Sequence, residues 1–288
     1  MQRLTKQCQK CLYDKNKNVY PDDATEKDIQ LYQQRIKNII DTHLDSNGPE
    51  IVYDIRKVQL EMFGIARDFT DIKRFYNDYM MSLADGIRND INASEDPLYR
   101  AMQYAMIGNY IDFGASNKVE VNKLDELLQS ADDYAINKDV YHLLRNDLSQ
   151  AHTFVFLTDN CGEIVLDQLL IEQIIKSYPQ LDVTVIVKGF PTINDATMDD
   201  ARQIGLDQMI RVIGNGSGIA GNSLRCISQE AHDLITQSDV VFSKGQGNYE
   251  TLQHEALNIY FMFLCKCQLF TSRFHMDQYG GILTKNHK

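Results

Sequence analysis

For the first 150 residues the apolar positions recur at helical spacing; beyond that point they gather into short continuous runs. Thr25 and Asp28 form a capping-box pattern, and Ile29, Tyr32, Ile36 and Ile39 follow at three- and four-residue steps. The turn-forming stretch "DSNGPE" interrupts this stripe, and Ile51, Ile55, Val58 and Met62 begin a second. A third helix is predicted over "DIKRFYNDYMMSLADGIRND". Asp96-Pro97 supplies the cap and first turn of a fourth, "LYRAMQYAMIGNYIDFG". "VNKLDELLQSADD" and "DVYHLLRNDLSQA" add two more.

The second pattern consists of "HTFVFLT", "LDVTVIVKG", "QMIRVIGNG", "SDVVFSKG" and "IYFMFLCKC", several without the alternation of a half-exposed strand. Strands buried on both faces read this way, as in a parallel sheet covered by helices. Amphipathic segments lie between them, such as "EIVLDQLLIEQIIKSY" and "SLRCISQEAHDLITQ". The alternation predicts an α/β protein with a doubly wound, Rossmann-like, mostly parallel sheet behind a helical region. The expected division is a helical domain over 1–100 and an α/β domain over 101–288, with 101–150 as its helical lead-in.

Composition narrows the partners. A chain of 288 residues with 43% hydrophobic and 24% charged positions is long enough for a sizeable core. Its net charge of −11 argues against a nucleic-acid partner or an anionic membrane surface, which call for a basic face. No apolar run approaches a membrane span, and "MQRLTKQCQKCLYDKNKNVY" lacks a signal-peptide core. Six cysteines without a secretory signal read as reduced thiols or metal ligands, so a cytoplasmic protein is expected.

The polar residues carry the functional signal. Each strand run ends in an unusual loop: "TDNCGE", "KGFPTINDAT", "GNGSGIAG", "SKGQGNYE" and "CKC". Loops at the carboxyl ends of parallel strands line the ligand crevice. They would deliver Asp159, Asn160, Asn194, Asp195, Gln246, Asn248 and Lys266 to one sheet edge. Asp159, Asn160 and Asp195 are an all-oxygen set suited to a hard divalent ion such as Mg²⁺ or Mn²⁺. Lys188, Lys244 and Lys266 lie at or just past strand ends as point charges for phosphate. Gly245, Gly247 and the glycines of the neighbouring loops let backbone N–H groups approach an anion.

Each residue also has a blander reading. Asp159 or Asn160 alone suits a helix N-cap, Asp195 with Thr197 suits another, and Asp199 and Asp200 suit a first helical turn. Capping does not account for the combination across separate strands. Cys8 and Cys11 could join Cys265 and Cys267 in a four-thiolate zinc site, although burial is the commoner fate of a cysteine in an apolar strand.

"TDNCGE…D", "KGFPTINDAT", "SKGQGNYE" and the closing "CKC", in that order, resemble the metal-dependent damage-control phosphatases, formerly domain of unknown function 89. "CQKC" and "GNYIDFG" resemble its stand-alone prokaryotic branch. The resemblance implies a divalent ion (Mn, Mg, Co or Ni) on Asp159, Asn160 and Asp195, and Gly245, Gln246, Gly247, Asn248 and Lys266 near the phosphate. It places Asn109 and Asp112 toward the same pocket, and Glu163, Lys188, Asn194 and Lys244 join the substrate-facing group. The expected enzyme is a phosphatase of small phosphorylated metabolites, with Asp159, Asp195 and Lys266 catalytic and a water as the preferred nucleophile. The rival readings are an S-adenosylmethionine-dependent methyltransferase on a similar fold and a non-catalytic sensor of a phosphometabolite.

Overall fold

The structure, a computed structural model, describes residues 4–64, 68–114 and 119–286. Its helical half begins with α1 (Lys6–Asn16), α2 (Glu26–Thr42), α3 (Gly48–Phe63), α4 (Thr70–Ala93) and α5 (Pro97–Gly108). The chain then forms α6 (Val121–Gln129) and α7 (Lys138–Gln150). The predicted caps are in place: Thr25 accepts from Asp28 N at 3.2 Å, and Asp96 from Tyr99 N at 3.2 Å. Each satisfies an amide that the first helical turn leaves without a partner.

The α/β half runs β1 (Thr153–Leu157), α8 (Glu163–Ser177), β2 (Asp182–Val187), α9 (Met198–Gln203), α10 (Leu206–Met209) and β3 (Arg211–Gly214). It continues through α11 (Gln229–Gln237), β4 (Val240–Lys244), α12 (Gln246–Leu252), β5 (Ile259–Leu264), α13 (Gln268–Phe274) and β6 (Gly281–Lys285). The strand order is β3-β2-β1-β4-β5-β6. All pairs are parallel except β5–β6. The order reverses between β1 and β4, the position at which a doubly wound sheet opens its ligand crevice. The antiparallel β6 was not foreseen: "GILTK" is short, and only Ile282 and Leu283 are buried.

Three apolar cores hold this together. Phe154, Phe156, Val185, Phe242 and Met262 face α4, α5 and α8, while Val155, Leu157, Val241, Phe261 and Phe263 face α11 to α13. Alternate residues of one strand therefore enter opposite cores, which is why the runs lack polar alternation. A third core within α1–α3 contains Tyr32, Ile36, Ile51 and Ile55. Glu50 of α3 ties that unit to the α/β half, accepting from Ser223 Oγ at 2.5 Å and pairing with Arg225. No helix among the described residues is long and apolar enough to cross a membrane.

Candidate functional site

The capping explanation fails for the two acids that matter. The N-cap of α8 is Gly162, with no side-chain cap bond, so neither Asp159 nor Asn160 caps it. The capping box of α9 pairs Thr197 with Asp200, and Asp195 takes no part. The loops after β1 and β2 instead join: Asn160 and Asp195 form an isolated backbone bridge, and Ala196 N donates to Asp159 O at 2.8 Å. This brings both carboxylates and the amide to the carboxyl ends of adjacent strands.

The predicted residues divide into two groups. In the first, side chains keep unused hydrogen-bonding capacity. Asp159 Oδ2 accepts from Asn160 Nδ2 at 2.7 Å and from Asn109 Nδ2 at 3.0 Å, whereas Oδ1 has no described donor. With its nitrogen committed, Asn160 retains its carbonyl oxygen. Among the described residues Asp195 Oδ2 is buried without a hydrogen-bond partner, and Lys188 Nζ stands 3.8 Å away, an ion-pair distance too long for a hydrogen bond. Lys188 is 1% exposed and, among the described residues, donates a hydrogen bond to Asn248 Oδ1 at 3.1 Å. Lys266 pairs with Asp112 at 2.6 Å, and Gln246 Nε2 is a buried donor with no partner among the described residues.

In the second group the side chains are fully engaged. Asn194 receives Phe113 N at 3.0 Å and donates to Ile111 O at 3.0 Å, which fastens the 111–113 loop over the site. Asn248 donates to Thr158 O and Lys244 O and receives Lys188 and Asn222, so its amide has nothing left for a ligand. Asn109 receives Leu264 N at 3.0 Å while donating to Asp159 and Glu163. Lys244, expected to meet phosphate, instead spends its three protons on Glu163 Oε1 at 2.6 Å, Asp167 Oδ1 at 2.6 Å and Ala105 O at 2.9 Å. Both it and Glu163 are fully buried and serve the site from behind. Gly245 has φ +84°, and a Cβ there would lie 2.1 Å from the Asp159 carboxylate, so only glycine admits the acid. Gly247 packs as tightly on Ala220 O.

Electrostatically the site lacks positive charge. Four buried carboxylates (Asp159, Glu163, Asp167, Asp195) face two buried lysines, Lys188 and Lys244. Burial, with Glu163 next, pushes Asp159 up to about 7. Burial raises Asp167 to about 8 against the pull of Lys244, and lifts Asp195 well above the carboxylate range. Burial also lowers the Lys188 pKa, against the attraction of Asp195 and Asp159. The oxygen-only donors, the orphaned Asp195 Oδ2 and the excess of buried acids all fit a hard divalent cation. Among the described residues no three His, Cys, Asp or Glu side chains gather as a metal site; the set is two carboxylates and an amide. Cys8, Cys11, Cys265 and Cys267 likewise form no such group, and all six cysteines are free. Burial pushes the Cys161 thiol up, which removes it as a nucleophile.

Two features escaped the sequence reading. An amide relay runs Asn215 Nδ2 to Asn222 Oδ1 (2.9 Å), then Asn222 Nδ2 to Asn248 Oδ1 (2.8 Å), and so supports Lys188. Asparagines spaced through "GNGSGIAGN" were its only trace. Asp167, one of three acids in "EIVLDQLLIEQII", was visible only as the closing acid of "TDNCGE…D" and was assigned no role.

Comparison with known proteins gives this geometry a lineage. The chain is 29% identical over 278 residues to an uncharacterised protein of Methanocaldococcus jannaschii, spanning 93% of this chain and 90% of that one. It is 34% identical over 168 residues to a damage-control phosphatase of Pyrococcus horikoshii, 58% of each chain. A damage-control phosphatase of Archaeoglobus fulgidus matches at 28% over 233 residues, 80% of this chain and 77% of its own. The crystal structure of a DUF89 family protein from Pyrococcus horikoshii shares the fold, with a TM-score of 0.80 at 23% identity and 100% of both chains covered. The damage-control phosphatase ARMT1-like domain is matched over residues 1–280, and the chain belongs to that family.

Proposed function

We propose that this protein is a divalent-metal-dependent phosphatase of small phosphorylated metabolites, damaged ones included, and that Asp159, Asn160 and Asp195 hold the ion. One observation carries the reading. Three oxygen-bearing side chains from the neighbouring loops after β1 and β2 meet at the carboxyl edge of the sheet, beside its switch point, and among the described residues the buried Asp195 Oδ2 has no hydrogen-bond partner. An orphaned buried carboxylate oxygen is costly unless a ligand completes it. The relatives named damage-control phosphatases support the reaction class.

When bound, Mg²⁺, Mn²⁺, Co²⁺ or Ni²⁺ supplies Lewis-acid charge against a phosphoryl oxygen. The chain's own residues do the rest. Lys188 retains donors beyond its bond to Asn248, and Lys266 is held by Asp112; both offset charge on non-bridging oxygens. Gln246 Nε2 is a further donor in search of an acceptor. Asp159 would be a poor nucleophile, because two amide donors fix Oδ2 and Oδ1 would be left for the ion; a water would instead add to phosphorus as the P–O bond to the leaving oxygen breaks, and a proton of that water would end on the departing alcohol.

The test is a phosphate-release screen over sugar phosphates, nucleotides and p-nitrophenyl phosphate, run with each divalent ion and with EDTA. Ion-dependent release from at least one phosphomonoester is expected. Binding of ion and ligand with no release across the panel would leave a sensor, and thermal stabilisation by S-adenosylmethionine but not by Mn²⁺ would favour a methyltransferase.

A further inference from the structure

Behind the proposed metal ligands lies a second, entirely buried layer. Asp167 follows Glu163 by one turn of α8, and both reach Lys244, the last residue of β4. Lys244 and the two acids have no side-chain exposure. The ammonium bonds Glu163 Oε1 at 2.6 Å, Asp167 Oδ1 at 2.6 Å and Ala105 O at 2.9 Å, which uses every proton it has. Glu163 in turn receives Asn109 Nδ2 at 3.0 Å on both oxygens, and Asn160 Nδ2 at 2.9 Å on Oε2. Those same two amides donate to Asp159 Oδ2. Hydrogen bonds thus run without a break from Asp167 through Lys244, Glu163, Asn109 and Asn160 to Asp159.

Packing alone gives no reason for an acid at 167. Its neighbours on α8, Ile164, Leu166, Leu170 and Ile171, are all fully buried and apolar. Asp167 Oδ2 is itself buried without a partner among the described residues, an expense that an apolar side chain of similar volume would avoid. The acid does, however, complete the grip on Lys244. Without it one ammonium proton lacks an acceptor, and the flexible lysine stem can swing away from Glu163.

We propose that Asp167 is a positioning residue, which acts through Lys244 and Glu163 to aim the free oxygens of Asp159 and Asn160 at the ion. The proposal rests on the metal-dependent reading above and adds the element that sets its geometry. Groups that orient metal ligands typically alter ion affinity or activity by about 10- to 100-fold when changed.

The test compares wild type, Asp167→Asn and the paired apolar variant Asp167→Leu/Lys244→Met. Mn²⁺ affinity is read from the electron paramagnetic resonance of free Mn²⁺, which needs no turnover, beside thermal melts and phosphate release. Asp167→Asn is expected to melt at or above the wild-type temperature without ion, and to bind Mn²⁺ about 10- to 100-fold more weakly. Its kcat should fall while KM stays near wild type, because Lys188 and Lys266 are untouched. The paired variant, which removes one charge of each sign and leaves Glu163 on the amides of Asn109 and Asn160, should fold and show the same loss of affinity. Wild-type Mn²⁺ affinity in either folded variant overturns the proposal, and so does failure of both to fold, which would assign the pair to stability alone. A wild-type protein that neither binds Mn²⁺ nor releases phosphate would instead defeat the metal-dependent reading itself.

Discussion

Asn160 donates its amide nitrogen to Asp159 Oδ2 at 2.7 Å and Glu163 Oε2 at 2.9 Å, and among the described residues no donor reaches its carbonyl oxygen or Oδ1 of Asp159. A side chain recruited for capping would spend its oxygen on a helix N–H, and this one does not. The orientation leaves the Asp-Asn pair one oxygen each for the ion proposed above, with the Asp195 carboxylate as the proposed third ligand.

Removing either charge should therefore separate activity from stability. In Asp159→Asn the retained oxygen still accepts from Asn109 and Asn160, which directs the new amide nitrogen to the place of Oδ1. In Asp195→Asn an orphaned carboxylate becomes neutral. Phosphate release is expected to fall by about a thousandfold or more, ~4 kcal/mol of transition-state stabilisation. Melting temperatures in EDTA should equal or exceed that of the wild type, because the four buried acids outnumber the two buried lysines and one excess acid has been removed. Wild-type turnover of Asp159→Asn with Mn²⁺ present would refute its role.

Gly245→Ala tests the same oxygens sterically. The added methyl would lie 2.1 Å from the Asp159 carboxylate, at a backbone φ of +84°. The acid must move for the chain to fold. The expected cost is about 1–3 kcal/mol of stability, with Mn²⁺ affinity falling at least about tenfold. Calorimetric unfolding and Mn²⁺ titration measure the two effects separately.

Lys266 and Asp112 offer a test of charge at the mouth. Lys266→Met keeps the length of the side chain and removes the ammonium. A loss of about 100-fold in kcat/KM, ~2.7 kcal/mol, is expected, with part of it in KM. Mn²⁺ affinity should stay near wild type, because Lys266 bonds Asp112 rather than a proposed metal ligand. Asp112→Asn should cost less, since the ammonium survives. Equal losses in the two variants would mean that the ion pair acts only as a brace.

Much of this site was legible because its residues obey a topological rule. Polar residues just after buried strands converge in any doubly wound sheet, and the runs ending in Asp159, Lys188, Lys244 and Lys266 announced four such positions. What the sequence hid was the direction of each side chain. Lys188 and Lys244 both stand at strand ends, yet one keeps spare donors and the other is locked by Glu163 and Asp167. Asn194 and Asn248 likewise sit in the right loops and point their amides into the scaffold. Such choices depend on contacts more than fifty residues away in the chain, which no local pattern records. β6 was missed for a related reason: its pairing with β5 supplies most of what makes "GILTK" a strand.

Away from the ligands, Glu250 makes stability depend on pH in a calculable direction. It lies on α12 with its carboxylate against the first turn of α3, where a Cβ on Gly48 would come within 2.7 Å of Oε2. Burial raises its pKa from 4.5 to about 7, opposed in part by a hydrogen bond from Gly48 and by Lys15. A carboxyl whose folded pKa lies above its unfolded value binds more protons folded than unfolded between the two. Stability therefore falls as pH rises from about 4.5 to about 7 and levels off above that range. Glu250→Gln removes the titration while keeping the shape. Its melting temperature should approach that of the wild type near pH 4.5 and exceed it increasingly up to pH 7, with a constant gap beyond. Melts in EDTA across that range measure the gap, and the other titrating acids are common to both proteins and cancel. A gap independent of pH would show that the Glu250 carboxyl is ionised throughout and that the contact with α3 carries no proton.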